Sequence, residues 1–345
     1  KRGCVQAQSH PSMGSNADAL GTEETSWFNN SSVFGCAAVG MYHTTALTDN
    51  MSVISCGNNQ KGQLGVGKDK IICEELEFVH DPRTAGLITP SPSWKSPPRQ
   101  IACGALHTVL LLANGDLYVW GFADSGRLGL SRSDLAIANA AQVATSPRPM
   151  SPRYDNSENA AAIGLKPQSP RSVVYLPVKV SSITDAQRKL VYVACGADFT
   201  LCIDHNGDAW SWGVGTYGSL GHGVNQNESE PRLIETLKGK KIRMVAGGAK
   251  HSACVSSKGE LFTWGHGDKG RLGHGGQHNT SLPGRVQSLQ HEFCAFVSCG
   301  EAHTAVISDS GELYTFGAGS YGRLGHGAEF DALTPVKVEH LAGHH

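Results

Sequence analysis

The feature that most constrains this chain is a tandem repeat. A Trp/Phe-Gly-x6-Leu-Gly motif occurs at Trp120-Gly121 to Leu128-Gly129, Trp212-Gly213 to Leu220-Gly221, Trp264-Gly265 to Leu272-Gly273 and Phe316-Gly317 to Leu324-Gly325. A fifth copy, Cys56-Gly57 to Leu64-Gly65, has Cys in the aromatic slot. A second motif precedes each: Gly40-Met41-Tyr42-His43, Gly104-Ala105-Leu106-His107, Gly196-Ala197-Asp198-Phe199, Gly248-Ala249-Lys250-His251 and Gly300-Glu301-Ala302-His303. In all five copies the Leu follows this Gly by 24 residues, and the glycines lie 64, 92, 52 and 52 residues apart. The unit is therefore 52 residues, with insertions of 12 and 40 in the first two intervals. A period of this size marks a solenoid, a propeller or an array.

Within one unit the pattern is that of strands: Val191 to Ala194, Thr200 to Asp204, an Asn206-Gly207 turn, then Ala209 to Trp212. Asn114-Gly115, Lys258-Gly259 and Ser310-Gly311 hold the same turn, which demands positive φ. A Pro (Pro231, Pro283, Pro335) precedes the next unit at fixed distance, where it can open an edge strand. Four short strands per unit predict an all-β fold, a β-propeller of four-stranded blades. Gly is 42 of 345 residues in a chain that is 39% hydrophobic, which fits turns in a folded β protein better than low complexity. One propeller domain spanning 1–345 is expected, interrupted at about 68–95 and 131–175.

The paired motifs resemble the regulator of chromosome condensation repeat, over about residues 33–338. The resemblance implies a propeller that typically has seven blades. The chain carries five complete units and a partial one at each end: Met13 to Gly21 resembles a decayed unit end, and Pro335-Val336-Lys337-Val338 reads as the start of another. Six or seven blades are expected, the chain being either part of a longer protein or closed by joining its ends.

The longer insertion is rich in Ala, Ser, Pro and Asn and reads as an exposed, partly disordered loop. Ser146-Pro147, Ser151-Pro152 and Ser169-Pro170 within it, with Ser91-Pro92 and Ser96-Pro97 in the shorter insertion, are candidate proline-directed phosphorylation sites. A plain Pro/Ser-rich linker explains them as well.

Lys plus Arg is 29 against Asp plus Glu 30, so no global field draws the chain to nucleic acid or an anionic membrane. No apolar run is long enough for a transmembrane helix. Ten cysteines without a CxxC pair, several at equivalent repeat positions, favour a reducing compartment, nuclear or cytoplasmic. His43, His107, His251 and His303 fall on different blades, so they are read as a repeated hydrogen bond and no metal is expected. Gly213-Val214-Gly215-Thr216-Tyr217-Gly218 imitates a dinucleotide fingerprint but recurs as a blade turn, so no cofactor is expected either. Binding, with no small-molecule substrate and no covalent catalysis, is the expected chemistry.

Asp198 and Phe199 break the repeat just after the longest insertion. The leading expectation is an interaction module that presents loops on one face to a protein partner. The alternative follows from the resemblance: in the family's exchange factor for the small GTPase Ran, an acidic residue in the Asp198 slot serves nucleotide release. On that reading Asp198, Phe199, His43, His107, His251 and His303 are the partner-binding candidates. Ala105 stands where that exchange factor carries a second acidic residue. Chromatin association is a third reading, resting on Lys238-Gly239-Lys240-Lys241-Ile242-Arg243. Light sensing, known in the family's plant photoreceptor, is set aside because no Trp lies within the Gly-x-x-His motifs.

Overall fold

A computed structural model describes residues 34–48, 51–79, 94–144, 173–184 and 188–339. They form five four-stranded antiparallel sheets, each a blade whose strands pair in chain order. Blade 1 comprises β1 (Phe34–Val39), β2 (His43–Thr48), β3 (Val53–Asn58) and β4 (Ile72–Val79). Blade 2 holds β5 (Pro98–Cys103), β6 (His107–Leu112), β7 (Leu117–Phe122) and β8 (Val173–Lys179); blade 3 holds β9 (Leu190–Cys195), β10 (Phe199–Asp204), β11 (Ala209–Gly213) and β12 (Glu228–Leu233). Blade 4 follows with β13 (Ile242–Gly247), β14 (His251–Ser256), β15 (Leu261–Gly265) and β16 (Thr280–Arg285), and blade 5 with β17 (Cys294–Cys299), β18 (His303–Ser308), β19 (Leu313–Gly317) and β20 (Ala332–Lys337).

The second strand of blades 2, 3 and 4 is covered on both faces by its neighbours, so its burial is continuous rather than alternating. Every residue of β6, β10 and β14 is buried. The hairpin glycines Gly115, Gly207, Gly259 and Gly311 have φ between 75° and 90°, as the turn reading requires. Trp120, Trp212, Trp264 and Phe316 are fully buried, each against the Leu-Gly glycine of the preceding blade: Gly65, Gly129, Gly221 and Gly273. These aromatic slots form the inter-blade core.

The structure corrects two expectations about chain organisation. Pro335 to Val338 does not begin a new unit, because Pro335 lies inside β20, the outer strand of blade 5. Pro177, Pro231 and Pro283 hold the same place in β8, β12 and β16, one residue before Val178, Arg232 and Gly284, which pair with β7, β11 and β15. Each proline lies at the C-terminal end of a bulge in its outer strand. The longer insertion is also not loop throughout. Arg132–Ala144 is a helix, α1, and Val173–Lys179 is β8, the outer strand of blade 2.

Helix α1 begins with a capping box. The Asp134 N–H donates to Ser131 Oγ at 3.2 Å, and the Ser131 N–H donates to Asp134 Oδ2 at 3.1 Å. Ser181 Oγ donates to the other oxygen, Oδ1, at 2.6 Å and ties the helix start to the segment after β8. Among the described residues no helix is long and apolar enough to cross a membrane.

Blades are clasped at their rims as well as at their cores. The turn between the third and fourth strands reaches the outer strand of the next blade: Gly62 touches Val174, Gly126 touches Glu228 and Ser229, Gly218 touches Ser281, and Gly270 touches Leu333. Gly218 has φ +78°, and a Cβ there would lie 2.4 Å from the Ser281 Cα. Both strain and collision with backbone oppose a side chain. Gly218→Ala is therefore expected to destabilise the fold by about 2 kcal/mol or more, read as a lowered urea midpoint with unchanged m.

Candidate functional site

The Gly-x-x-His loops and the x6-Leu-Gly turns lie at the same end of the blades and are joined by backbone hydrogen bonds. The N–H groups of Asn58, Phe122, Val214, His266 and Ala318 donate to the carbonyls of Tyr42, Leu106, Asp198, Lys250 and Ala302. This end is the loop face. Its foundation is a relay repeated between blades.

In that relay, His43 Nε2 lies 2.8 Å from Thr108 Oγ1, His107 Nε2 3.1 Å from Thr200 Oγ1, and His251 Nε2 2.9 Å from Thr304 Oγ1. Each threonine hydroxyl donates its proton to a backbone carbonyl, of Gln63, Arg127 and Arg271 respectively. A hydroxyl has one proton, so its oxygen must accept from the histidine, and the imidazole carries its hydrogen on Nε2. The Nδ1 atoms of all three have no partner and sit against the motif glycines Gly40, Gly104 and Gly248. Burial pulls the pKa of His43 down to about 4 and those of His107 and His251 to about 3, with Arg127 near His107 and Arg271 near His251 adding to the effect.

These positions overturn part of the candidate set. His107 and His251 are fully buried, His43 is 4% exposed, and their ring nitrogens serve the inter-blade relay, so no partner reaches them. His303 is half-buried at the corresponding place in blade 5. Phe199 is 1% exposed, its ring packed on Gly196 in the slot that holds His elsewhere. The threonine position facing it is Ser252, whose hydroxyl donates directly to the Ser219 carbonyl. Phe and Ser thus replace His and Thr together: with no imidazole donor, the hydroxyl keeps only its bond to carbonyl.

Asp198 is where the surface begins. Arg127 Nη1 donates to Asp198 Oδ1 at 2.6 Å across the junction of blades 2 and 3. The arginine side chain is 7% exposed and the aspartate 44%, so the cation is hidden beneath a carboxylate turned outward. Arg127 is held in turn by its Nε bond to the Asp124 carbonyl and by the Phe122 ring 4.8 Å away. Arg271 repeats the arrangement two junctions later, between blades 4 and 5, donating to the Asp268 carbonyl and reaching the Glu301 carbonyl. The role of Arg127 was missed in the sequence, although Arg-Leu-Gly at 127, 271 and 323 is itself a repeated signal.

The rest of the loop face is chemically mixed. Met41, Tyr42, Lys250 and Glu301 are exposed. The Lys250 ammonium lies 5.1 Å from the Tyr217 ring centroid, and Tyr217 packs on His266 at 4.1 Å. The basic segment is elsewhere, at the hairpin end of the blades: Lys241 Nζ donates to the Asn206 carbonyl, and Arg243 Nη2 to those of Cys294 and Ala295. Ser96 is half-buried and its Oγ accepts the Asn114 N–H at 3.1 Å. Ser91, Ser146, Ser151 and Ser169 lie outside the described residues.

The comparisons with known proteins agree with this architecture. The family model described as the regulator of chromosome condensation (RCC1) repeat matches residues 52–111, 206–255, 258–307 and 310–345. A second model of the same description matches 99–127 and 294–323. The chain is 31% identical over 301 residues to the probable E3 ubiquitin-protein ligase HERC4 of Mus musculus, covering 83% of this chain but 27% of that protein. It is 31% identical over 322 residues to the ultraviolet-B receptor UVR8 of Arabidopsis thaliana, covering 87% of this chain and 69% of the receptor. Among solved structures, Prp20p of Saccharomyces cerevisiae, studied for its binding to Gsp1p and histones, superposes with TM-score 0.60 at 19% identity over 89% of this chain and 77% of its own. The blade order, the two motifs and these matches have one reading: the chain belongs to the regulator of chromosome condensation (RCC1) repeat family.

Proposed function

We propose that this chain is a protein-interaction propeller that engages a protein partner through its loop face. The observation that carries the reading is how each motif divides its residues. The repeated Leu and three of the four His are buried, and those three His join blade to blade. The two residues between them change in every blade, as Met41-Tyr42, Ala105-Leu106, Ala197-Asp198, Ala249-Lys250 and Glu301-Ala302, and all are at least partly exposed. A constant frame carrying variable side chains on loops is the layout of a recognition surface. Relatives named as a ubiquitin ligase and as a light receptor share the repeat, so the fold does not name the partner.

The test is affinity capture from nuclear and cytoplasmic extracts, the two compartments this reading favours. Proteins retained by the wild type are expected to be lost with Tyr42→Ala plus Lys250→Ala on the loop face and kept with Lys240→Ala plus Lys258→Ala on the hairpin face. The opposite pattern sinks the proposal.

A second reading, guanine-nucleotide exchange on a Ran-like small GTPase, is favoured by one observation: Asp198 offers a fixed, outward carboxylate in the slot where the family's exchange factor is acidic. Release of labelled nucleotide from a Ran-like GTPase is then expected to accelerate with the wild type and to slow by about tenfold with Asp198→Ala, the loss of one charge-assisted contact. No acceleration by the wild type removes this reading.

A further inference from the structure

The five outer strands are not equivalent. Four carry Pro at one register position, Pro177, Pro231, Pro283 and Pro335, and β4 carries Leu76 there, one residue before Glu77, which pairs with Ser55. Among the described residues β4 pairs only with β3, and no strand lies on its other edge. β4 also has eight residues, where β12, β16 and β20 have six.

The register defines which backbone groups face that edge. In the other blades Val180, Ile234, Val286 and Val338 donate their N–H groups to the third strand at the position that Val53 holds in blade 1. Val53 pairs with Val79. Alternation of an antiparallel ladder then turns Val79 and Glu77 toward β3 and turns Phe78 outward, and Leu76 lies in the bulge between the pairs Ser55–Glu77 and Gly57–Cys73. Proline at the Leu76 position removes an N–H that the ladder to the third strand does not use, which closes an edge to an incoming strand. β4 lacks that protection.

The side chains indicate what the edge accepts. Ile72, Leu76 and Phe78 are between 44% and 61% exposed on β4, an apolar display unusual for an edge strand. Glu74 and Glu75 beside them are exposed and form no ion pair among the described residues, whereas Glu77 pairs with Lys70. Pairing with a second β4 would set glutamates against glutamates, which is unfavourable across strands.

We propose that β4 is a docking edge for an extended segment of a partner protein, added to blade 1 as a fifth strand, with apolar side chains over Leu76 and Phe78 and basic side chains toward Glu74 and Glu75. Backbone hydrogen bonds supply the affinity and the alternating side chains the selectivity. This surface lies on the outer rim, separate from the loop face, so the two can be occupied together.

The probe is a fluorescent peptide of repeating Lys-Val-Lys-Thr, read by anisotropy with the whole chain. Binding is expected with wild type, weakened about tenfold by Leu76→Pro, which copies the other four blades and removes one ladder donor. Glu74→Lys plus Glu75→Lys, confined to exposed positions, is expected to abolish binding of this probe and create binding of Glu-Val-Glu-Thr. Failure of the wild type to bind, equal binding by the charge-reversed variant, or a dimer in sedimentation that Leu76→Pro dissolves would each overturn the proposal, the last in favour of a second copy of this chain.

Discussion

Acidification from pH 7 to pH 4 is expected to unfold the protein, and the slope identifies the histidine relay as the cause. His43, His107 and His251 have native pKa values of about 4, 3 and 3, far below the ordinary value of about 6.5. The native state therefore stays unprotonated at these sites while the unfolded chain takes up protons below about pH 6.5, so stability falls as pH falls. Each histidine contributes about 1.4 kcal/mol per pH unit between those limits, about 4 kcal/mol per unit for the three. A typical domain has only about 5–15 kcal/mol to lose. The physical reason is visible at Nδ1: charging the ring puts a second hydrogen on a buried atom that faces a glycine backbone and no acceptor. Urea midpoints at pH 7, 6 and 5 measure the slope. His107→Phe with Thr200→Ser, which copies the Phe199 and Ser252 pairing of the next junction, is expected to reduce it by roughly a third. A midpoint that stays constant from pH 6.5 to 5 would contradict the relay.

Trp264→Ala is expected to be the most damaging single truncation in the core, at about 3–5 kcal/mol. The indole is fully buried between blades 3 and 4, lies against Gly221, and donates from Nε1 to the Ser219 carbonyl at 2.9 Å. Alanine leaves a cavity that the rigid Leu-Gly turn cannot collapse to fill. Trp264→Phe is expected to lose only about 1 kcal/mol. Phe316 shows that phenylalanine fits the slot, and the Ser219 carbonyl keeps the Ser252 hydroxyl as a donor. Thermal and urea denaturation of the pair separate volume from hydrogen bonding, since equal losses would assign the whole effect to the indole N–H.

The blades were legible because their signals are local and repeated. Asn206-Gly207 marks a hairpin, Trp212 and Leu220 mark core, and a spacing held in five copies needs no tertiary information. The boundaries were less so. Pro335 read as an opening because the distance from one proline to the next unit is as constant as its distance to its own blade, and only strand pairing tells the two apart. Helix α1 was hidden by composition, although Ser131 and Asp134 spell the capping box that starts it. At the site, Asp198 stood out as a break in the repeat, but Phe199 beside it did not declare that it faces inward: a one-residue step along the chain exchanges surface for core. Arg127, 71 residues away in sequence, has no local signal that couples it to Asp198.

The inter-blade links described above all join consecutive blades. The histidine of one blade reaches forward to the next, the tryptophan of the next reaches back to the first, and the rim turn clasps forward again. Such a molecule is held together by nearest-neighbour couplings and behaves as a row of springs in series. Stretched from its ends it would open one junction at a time. The junction of blades 3 and 4 has no histidine relay, because Phe199 replaces the donor, and so it is bound by apolar contact, by the Trp264 and Ser252 bonds to the Ser219 carbonyl and by the Gly218 rim clasp. Acid weakens the other junctions through their relays, whereas at this one burial lowers the pKa of His266, stacked on Tyr217, with no relay to break. The order in which junctions yield would therefore reverse with pH, and a force trace recorded at two pH values would show which blades separate first.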